Sequence, residues 1–247
     1  MNPEMTALPL VLMYHSVQDY RSDPYQVTVH PRRFDRQLRW LHRRGRRGVS
    51  MAELFAARRD GRAAGLVGLT FDDGYTDFVT EVLPALRRYG FGATVFVVAG
   101  ELGGRNSWDR PGPDKPLMTE GHVRQAVDAG IEIGSHGLRH VRLSDLTEDG
   151  LVEQVRQSRV MLRELTGREV PGFCYPYGRV GEREVQAVRA AGYQYACAVR
   201  PAPELAGLHA VPRAFIGDRD TSPRLFAKVL RHRLTAVRVA SERVAVS

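Results

Sequence analysis

Leu66-Val67-Gly68-Leu69-Thr70-Phe71-Asp72-Asp73-Gly74 is the stretch on which the fold turns. An uncharged, mostly apolar run leads directly into two adjacent carboxylates and a glycine. Such a run, bounded by turn residues, reads as a strand buried on both faces, as in a parallel sheet. Two carboxylates at a buried strand end are costly unless a cation pairs with them. Beyond the last regular strand residue, neighbours need not point to opposite faces, so both can serve one site. Asp-Gly is also a common turn pair, so a plain turn is the competing reading.

Other apolar runs lie on either side of this one. Leu8 to Tyr14 reads as a first strand. A helix begins near Pro31, with Phe34, Leu38 and Leu41 at i, i+4 and i+7. Ser50 and Glu53 form a capping-box pattern for a short second helix. Helices are predicted over 76–89, 119–129, 148–165 and 181–191, with a last one from about 223. Strands are predicted over 93–98, 131–133, 170–175, 193–198 and 210–216, and a Gly/Pro-rich loop with Asn106, Trp108 and Asp109 covers 100–117. Gly45, Gly90, Gly130, Gly167 and Gly192 sit where helices would stop. Strands alternating with helices indicate a parallel α/β architecture, a barrel or an open sheet. Such folds place their sites at the carboxyl ends of strands. Asp72-Asp73, His136 and Tyr177 fall at those ends.

His136-Gly137-Leu138-Arg139-His140 places two histidines at i, i+4, which meet one metal if the segment turns helically. One carboxylate with two imidazoles is a common catalytic metal set, leaving the second carboxylate free as general base. Phe173-Cys174-Tyr175-Pro176-Tyr177-Gly178 offers an aromatic wall of the kind sugars pack on, although Tyr175 reads as readily as core. His30, His42, His122 and His232 carry no such pattern.

Composition narrows the class. The 247 residues are 43% hydrophobic and 26% charged, which suits a globular domain. The net charge of +8 comes with arginine pairs such as Arg32-Arg33, Arg43-Arg44 and Arg58-Arg59. No nucleic-acid motif accompanies them, so they read as a solvated surface rather than a nucleic-acid site. Cys174 and Cys197 are too few for a disulfide framework and read as reduced, buried thiols. Met1 to Thr6 lacks a charged leader segment and no stretch reaches membrane-spanning length, which points to a cytoplasmic location. The basic segment Arg224 to Arg243 reads as a last helix and a frayed tail, with peripheral membrane contact as the other reading.

Thr-Phe-Asp-Asp-Gly at 70–74, Ser-His-x-x-x-His at 135–140 and Tyr-Pro-Tyr-Gly at 175–178 together resemble the polysaccharide deacetylase family with the NodB homology domain, carbohydrate esterase family 4. Met13-Tyr14-His15-Ser16-Val17, the Phe34…Leu41 helix, Asn106-x-Trp108 and Val211-Pro212-Arg213 are similar to its branch of poly-N-acetylglucosamine deacetylases. The resemblance implies a single domain over 1–247, a distorted (β/α)7 barrel with its catalytic core at about 64–247 and residues 8–60 in the same barrel. It implies an N-acetylated sugar substrate and a divalent metal, usually zinc, with cobalt or nickel as alternatives. Asp73, His136 and His140 would be the ligands and Asp72 the base. A backbone N–H near Tyr177 would hold the oxyanion, and Tyr175, Tyr177 and Trp108 would contact the sugar.

Two departures from the family pattern stand out. Cys174 occupies the place of an arginine that orients the base, and Arg213 is the expected replacement. Leu208-His209 lacks the spacing of the late motif that supplies the general acid, so His15 is the expected acid ahead of His209. A hydrolase of cyclic amides and a non-catalytic sugar-binding module remain the alternatives. The second would be expected to have lost one of the four central residues.

Overall fold

The computed structural model describes residues 9–232. The expectations for Met1 to Thr6, and for the basic tail beyond residue 232, lie outside them. The chain opens with β1 (Val11–Tyr14), β2 (Ser16–Val17) and β3 (Thr28–Val29), then α1 (Pro31–Arg43), β4 (Arg47–Val49), α2 (Met51–Arg59) and β5 (Leu66–Phe71). Helix α3 starts as a π-helical stretch, Phe78–Val82, and continues as α-helix over Leu83–Tyr89. There follow β6 (Thr94–Val97), α4 (Glu120–Asp128), β7 (Glu132–Ser135), α5 (Glu148–Thr166), β8 (Gly172–Cys174), α6 (Glu182–Ala190), β9 (Tyr195–Ala198), β10 (Val211–Pro212) and β11 (Ala214–Phe215). A further helix covers 222–232.

The main sheet runs β10-β9-β8-β7-β6-β5-β1-β11, with every pair parallel. Its two ends belong to one stretch of chain. Val211-Pro212 pairs with β9 and Ala214-Phe215 with β1, so Arg213 alone joins them. The stretch predicted as one strand over 210–216 is therefore the seventh stave of a closed barrel, the (β/α)7 architecture the resemblance implied. β4 was not predicted. It pairs with the amino-terminal half of β5, Arg47 opposite Leu66, before β6 takes over at Thr70 opposite Thr94. That wedge distorts the barrel.

Strand alternation divides the core into two layers. Val67, Leu69 and Phe71 of β5 face outward and pack with Phe34, Leu38, Val82 and Leu86 of the helices. The inward layer holds Val11, Phe96, Cys174, Tyr195, Cys197 and Val211. Inward positions on β5 are Gly68, Thr70 and Asp72, on β7 Glu132, Gly134 and His136. Gly134 is required there, because a Cβ would collide with the Phe96 ring. Burying each large outward side chain contributes about 1.5–3 kcal/mol. Among the described residues no helix is long and apolar enough to cross a membrane.

Candidate active site

The strands end in a common rim. Asp72 N donates to Tyr14 O at 3.0 Å and His136 N to Val97 O at 2.8 Å, so the parallel ladders continue to the first site residue on each strand. The inward parity of β5 and β7 then aims Asp72 and His136 into the top of the lumen. Asp73 follows at φ +71° and Tyr177 sits at φ +60°. Non-glycine residues rarely adopt this conformation, and here two of them flank one cleft.

Arg213, the residue that closes the barrel, meets Asp72. Its Nη1 donates to Asp72 Oδ1 at 2.6 Å and its Nη2 to Asp72 Oδ2 at 2.7 Å. Both side chains are buried, at 0% and 4% exposure. Nη1 also donates to Thr70 Oγ1 at 3.0 Å and Nη2 lies 3.0 Å from Cys174 Sγ. Cys174 is thus small enough to leave the volume that the guanidinium enters from the closing strand. Burial pushes the Asp72 carboxyl up, but the charge and hydrogen bonds of Arg213 hold it below the usual carboxylate range.

Asp73, His136 and His140 form a second cluster. Asp73 Oδ1 lies 3.3 Å from His136 Nε2 and 3.4 Å from His140 Nε2. It is buried and has no hydrogen-bond partner. Ligand atoms about 2.1 Å from a tetrahedral ion stand roughly 3.4 Å apart, so this spacing fits one cation. His136 Nδ1 lies 2.8 Å from Cys174 O, which fixes that nitrogen as the donor and leaves the Nε2 lone pair facing Asp73. Burial pushes His140 down to about 4, keeping that ring neutral as a ligand must be. Asp72, His136 and Cys174 also lie close enough to share an ion. Arg213 makes that set unsuitable: its positive charge saturates Asp72, and burial pushes the Cys174 thiol well up, away from the thiolate a metal needs.

The segment 136–140 is a bent loop, and it brings both rings to Asp73 without the helical turn on which the i, i+4 reading depends. Gly137 takes φ +87°, and Gln154 Oε1 on α5 accepts from Leu138 N at 3.1 Å and Arg139 N at 2.8 Å. Gln154 was missed from the sequence. Its signal is a glutamine on the apolar face shared by Leu151, Val155 and Leu162.

The remaining expected residues divide. Trp108 stacks on His140, with centroids 4.5 Å apart at 24°, and Tyr177 meets the same ring at 4.5 Å and 58°. Tyr177 is 45% exposed and presents its ring to solvent. Tyr175 does not line the cleft: it is 1% exposed, packs on Phe173, and donates from its hydroxyl to His209 O. His15 follows β1 at the rim, its Nε2 4.0 Å from Asp72 Oδ2. His209 precedes β10 at the opposite end of the barrel, with Nε2 3.0 Å from Tyr193 O, and the structure does not bring it to the site.

A sequence model described as polysaccharide deacetylase matches residues 60–196, more than half of the chain. The chain belongs to the polysaccharide deacetylase family. Within this family it is 28% identical over 193 residues to the Bacillus subtilis protein YxkH, which is named only provisionally as a polysaccharide deacetylase; the match covers 77% of this chain and 64% of that one. It is 30% identical over 121 residues to the peptidoglycan-N-acetylglucosamine deacetylase of Bacillus cereus, covering 49% and 39%. The chain thus spans less than two thirds of the length of these relatives. Among solved structures it is similar to the deacetylase PplD of Streptococcus pyogenes in complex with acetate, with a TM-score of 0.76 at 22% identity over 90% of this chain and 98% of that one. It is also similar to IcaB of Ammonifex degensii, with a TM-score of 0.70 at 22% identity, covering 90% and 97%. At that identity the two structures speak for the fold of this family member alone.

Proposed function

We propose that the chain removes the acetyl group from an N-acetylated amino sugar, alone or within a glycan, releasing acetate and a free amine. The observation that carries this reading is the pair of neighbouring carboxylates with opposite surroundings. Asp72 is saturated by a guanidinium, while Asp73 points a bare buried oxygen at two imidazole nitrogens. Family membership and the names of the relatives support a sugar amide as substrate, and the half-open Trp108–His140–Tyr177 rim suits a sugar ring.

Asp73, His136 and His140 would hold a divalent cation, zinc by their carboxylate and imidazole chemistry, with cobalt or nickel able to take the same ligands. When bound, that ion supplies Lewis acidity toward the acetyl carbonyl and the attacking water. Asp72, kept ionised and oriented by Arg213, accepts the proton of that water as its oxygen joins the acetyl carbon. A backbone N–H at the Tyr177 turn stabilises the oxyanion. His15 then gives a proton to the departing nitrogen as the C–N bond breaks.

The test is acetate release from N-acetylglucosamine oligomers by the full chain, before and after chelation and again after metal is restored. Release that is lost and regained is expected. Asp72→Asn should keep its metal and lose about 10²–10⁴ of turnover. Metal-loaded protein that binds the oligomers but never liberates acetate would sink the reading.

A further inference from the structure

Among the described residues, Asp109 is a carboxylate beside the cleft that the proposed chemistry does not use. The loop carrying it is built from the inside. Asn106, 3% exposed, accepts from Lys115 N at 2.6 Å through Oδ1 and donates to Pro113 O at 3.1 Å. Lys115 is itself buried, donates from Nζ to Thr28 Oγ1 at 2.6 Å and lies over the Tyr75 ring. Asp109 Oδ2 accepts from Tyr75 OH at 2.9 Å and from Asn106 Nδ2 at 3.1 Å. Tyr75 is 1% exposed, so both donors are immobile. The other oxygen, Oδ1, accepts no hydrogen bond among the described residues, and Asp109 as a residue is half-buried.

The placement of this carboxylate is as particular as its support. Trp108, the preceding residue, stacks on the candidate ligand His140. Asp109 lies within electrostatic reach of Asp73, His15 and Tyr177. A loop that only needed a turn would not anchor one carboxylate oxygen on two buried donors and leave its twin without a partner. Asp72 and Asp73 are committed to Arg213 and to the imidazoles. Burial raises the Asp109 carboxyl above its ordinary range, and Oδ1 is an acceptor beside this rim that no described residue occupies.

We infer that Asp109 is a substrate-positioning residue, its Oδ1 accepting a hydrogen bond from a ring hydroxyl of the acetylated sugar while Trp108 and Tyr177 flank the ring. This rests on the amino-sugar reading above. It narrows the substrate class to N-acetylated sugars with that hydroxyl free, and it excludes units substituted there.

The experiment is a cycle between enzyme and substrate. Binding and acetate release are measured with N-acetylglucosamine glycosides and their 3-, 4- and 6-deoxy analogues, on the metal-restored full chain and on Asp109→Ala. In the parent, one deoxy analogue should bind more weakly and lose roughly 10- to 100-fold in kcat/KM, the worth of a hydrogen bond to a charged group. In Asp109→Ala the same analogue should lose nothing relative to its glycoside. Asp109→Asn, whose amide oxygen still accepts from Tyr75 and Asn106, keeps the loop and should show a loss of only a few-fold. It replaces the alanine variant if that one unfolds. Equal losses in parent and variants, or no loss with any analogue, overturn the inference. Dissociation constants keep the two readings distinguishable: sugar that binds without releasing acetate defeats the deacetylase reading, while the Asp109 cycle still reports through binding. No measurable sugar binding defeats both.

Discussion

Replacing Arg213 by methionine tests the arrangement where it is most stressed. The change removes a guanidinium that makes two short hydrogen bonds to Asp72 in a site where both side chains are buried. A buried carboxylate left without its partner costs about 3–5 kcal/mol, which for a chain of this size lowers Tm by roughly 6–20 °C. The loss depends on pH. In the parent, burial raises Asp72 and Arg213 more than offsets it, so the folded pKa lies below the unfolded value of about 3.9. Stability from Asp72 is thus present above the unfolded pKa and lost as pH falls through the folded one. In Arg213→Met only the smaller attraction of His15 and His136 opposes burial; the folded pKa should rise above the unfolded value, so the variant loses stability as pH rises through that window. The gap between the two proteins should be wide at pH 7.5 and narrow in acid. The same shift should carry the acidic limb of kcat/KM upward, because Asp72 must be ionised to act as base. Arg213→Lys keeps the charge without the two-pronged contact and should fall between. Urea unfolding of chelated protein at two pH values, with a pH–rate profile of the loaded enzyme, measures both. A loss under about 1 kcal/mol, together with an acidic limb that stays in place, would refute the reasoning.

Gln154→Leu removes the acceptor for two loop N–H groups and should cost about 1–3 kcal/mol of stability. It should also weaken metal binding by about 10- to 100-fold in chelator competition; an unchanged affinity would mean the loop holds its shape without it. His15→Ala should lower kcat by about 10²–10⁴ while retaining metal. His209→Ala, at the other end of the barrel, should leave kcat near that of the parent. The reverse pattern would remove His15 as the acid.

Where sequence reading worked, local pattern and tertiary outcome agreed. The run at 66–71 is a strand because its alternate residues face two apolar layers, and its length leaves Asp72 and Asp73 just beyond its last residue. Helix α1 starts at Pro31 and buries Phe34, Leu38 and Leu41, as the spacing predicts. The misses share a cause. β4 is short, carries Arg47 and Gly48, and exists only because β5 offers it a free edge. The 136–140 segment has helical spacing, but Gly137 and Gln154 bend it into a loop. Tyr175 and Tyr177 look alike in the sequence, yet one points into the packing and the other out of the rim.

By itself the sequence determined the strands, the helices between them and the order in which the polar clusters leave the strand ends. Those follow from periodicity and local chemistry, which act within a few residues. Only the tertiary structure decided that Arg213, 141 residues from Asp72, closes the barrel and grips that carboxylate in the space Cys174 leaves. It places His15 at the rim beside Asp72 and His209 before β10 at the other end, because the end of the barrel a residue reaches depends on strand direction. The physical reason is that burying an ion pair and orienting two imidazoles need partners that meet only once the sheet has curled and closed.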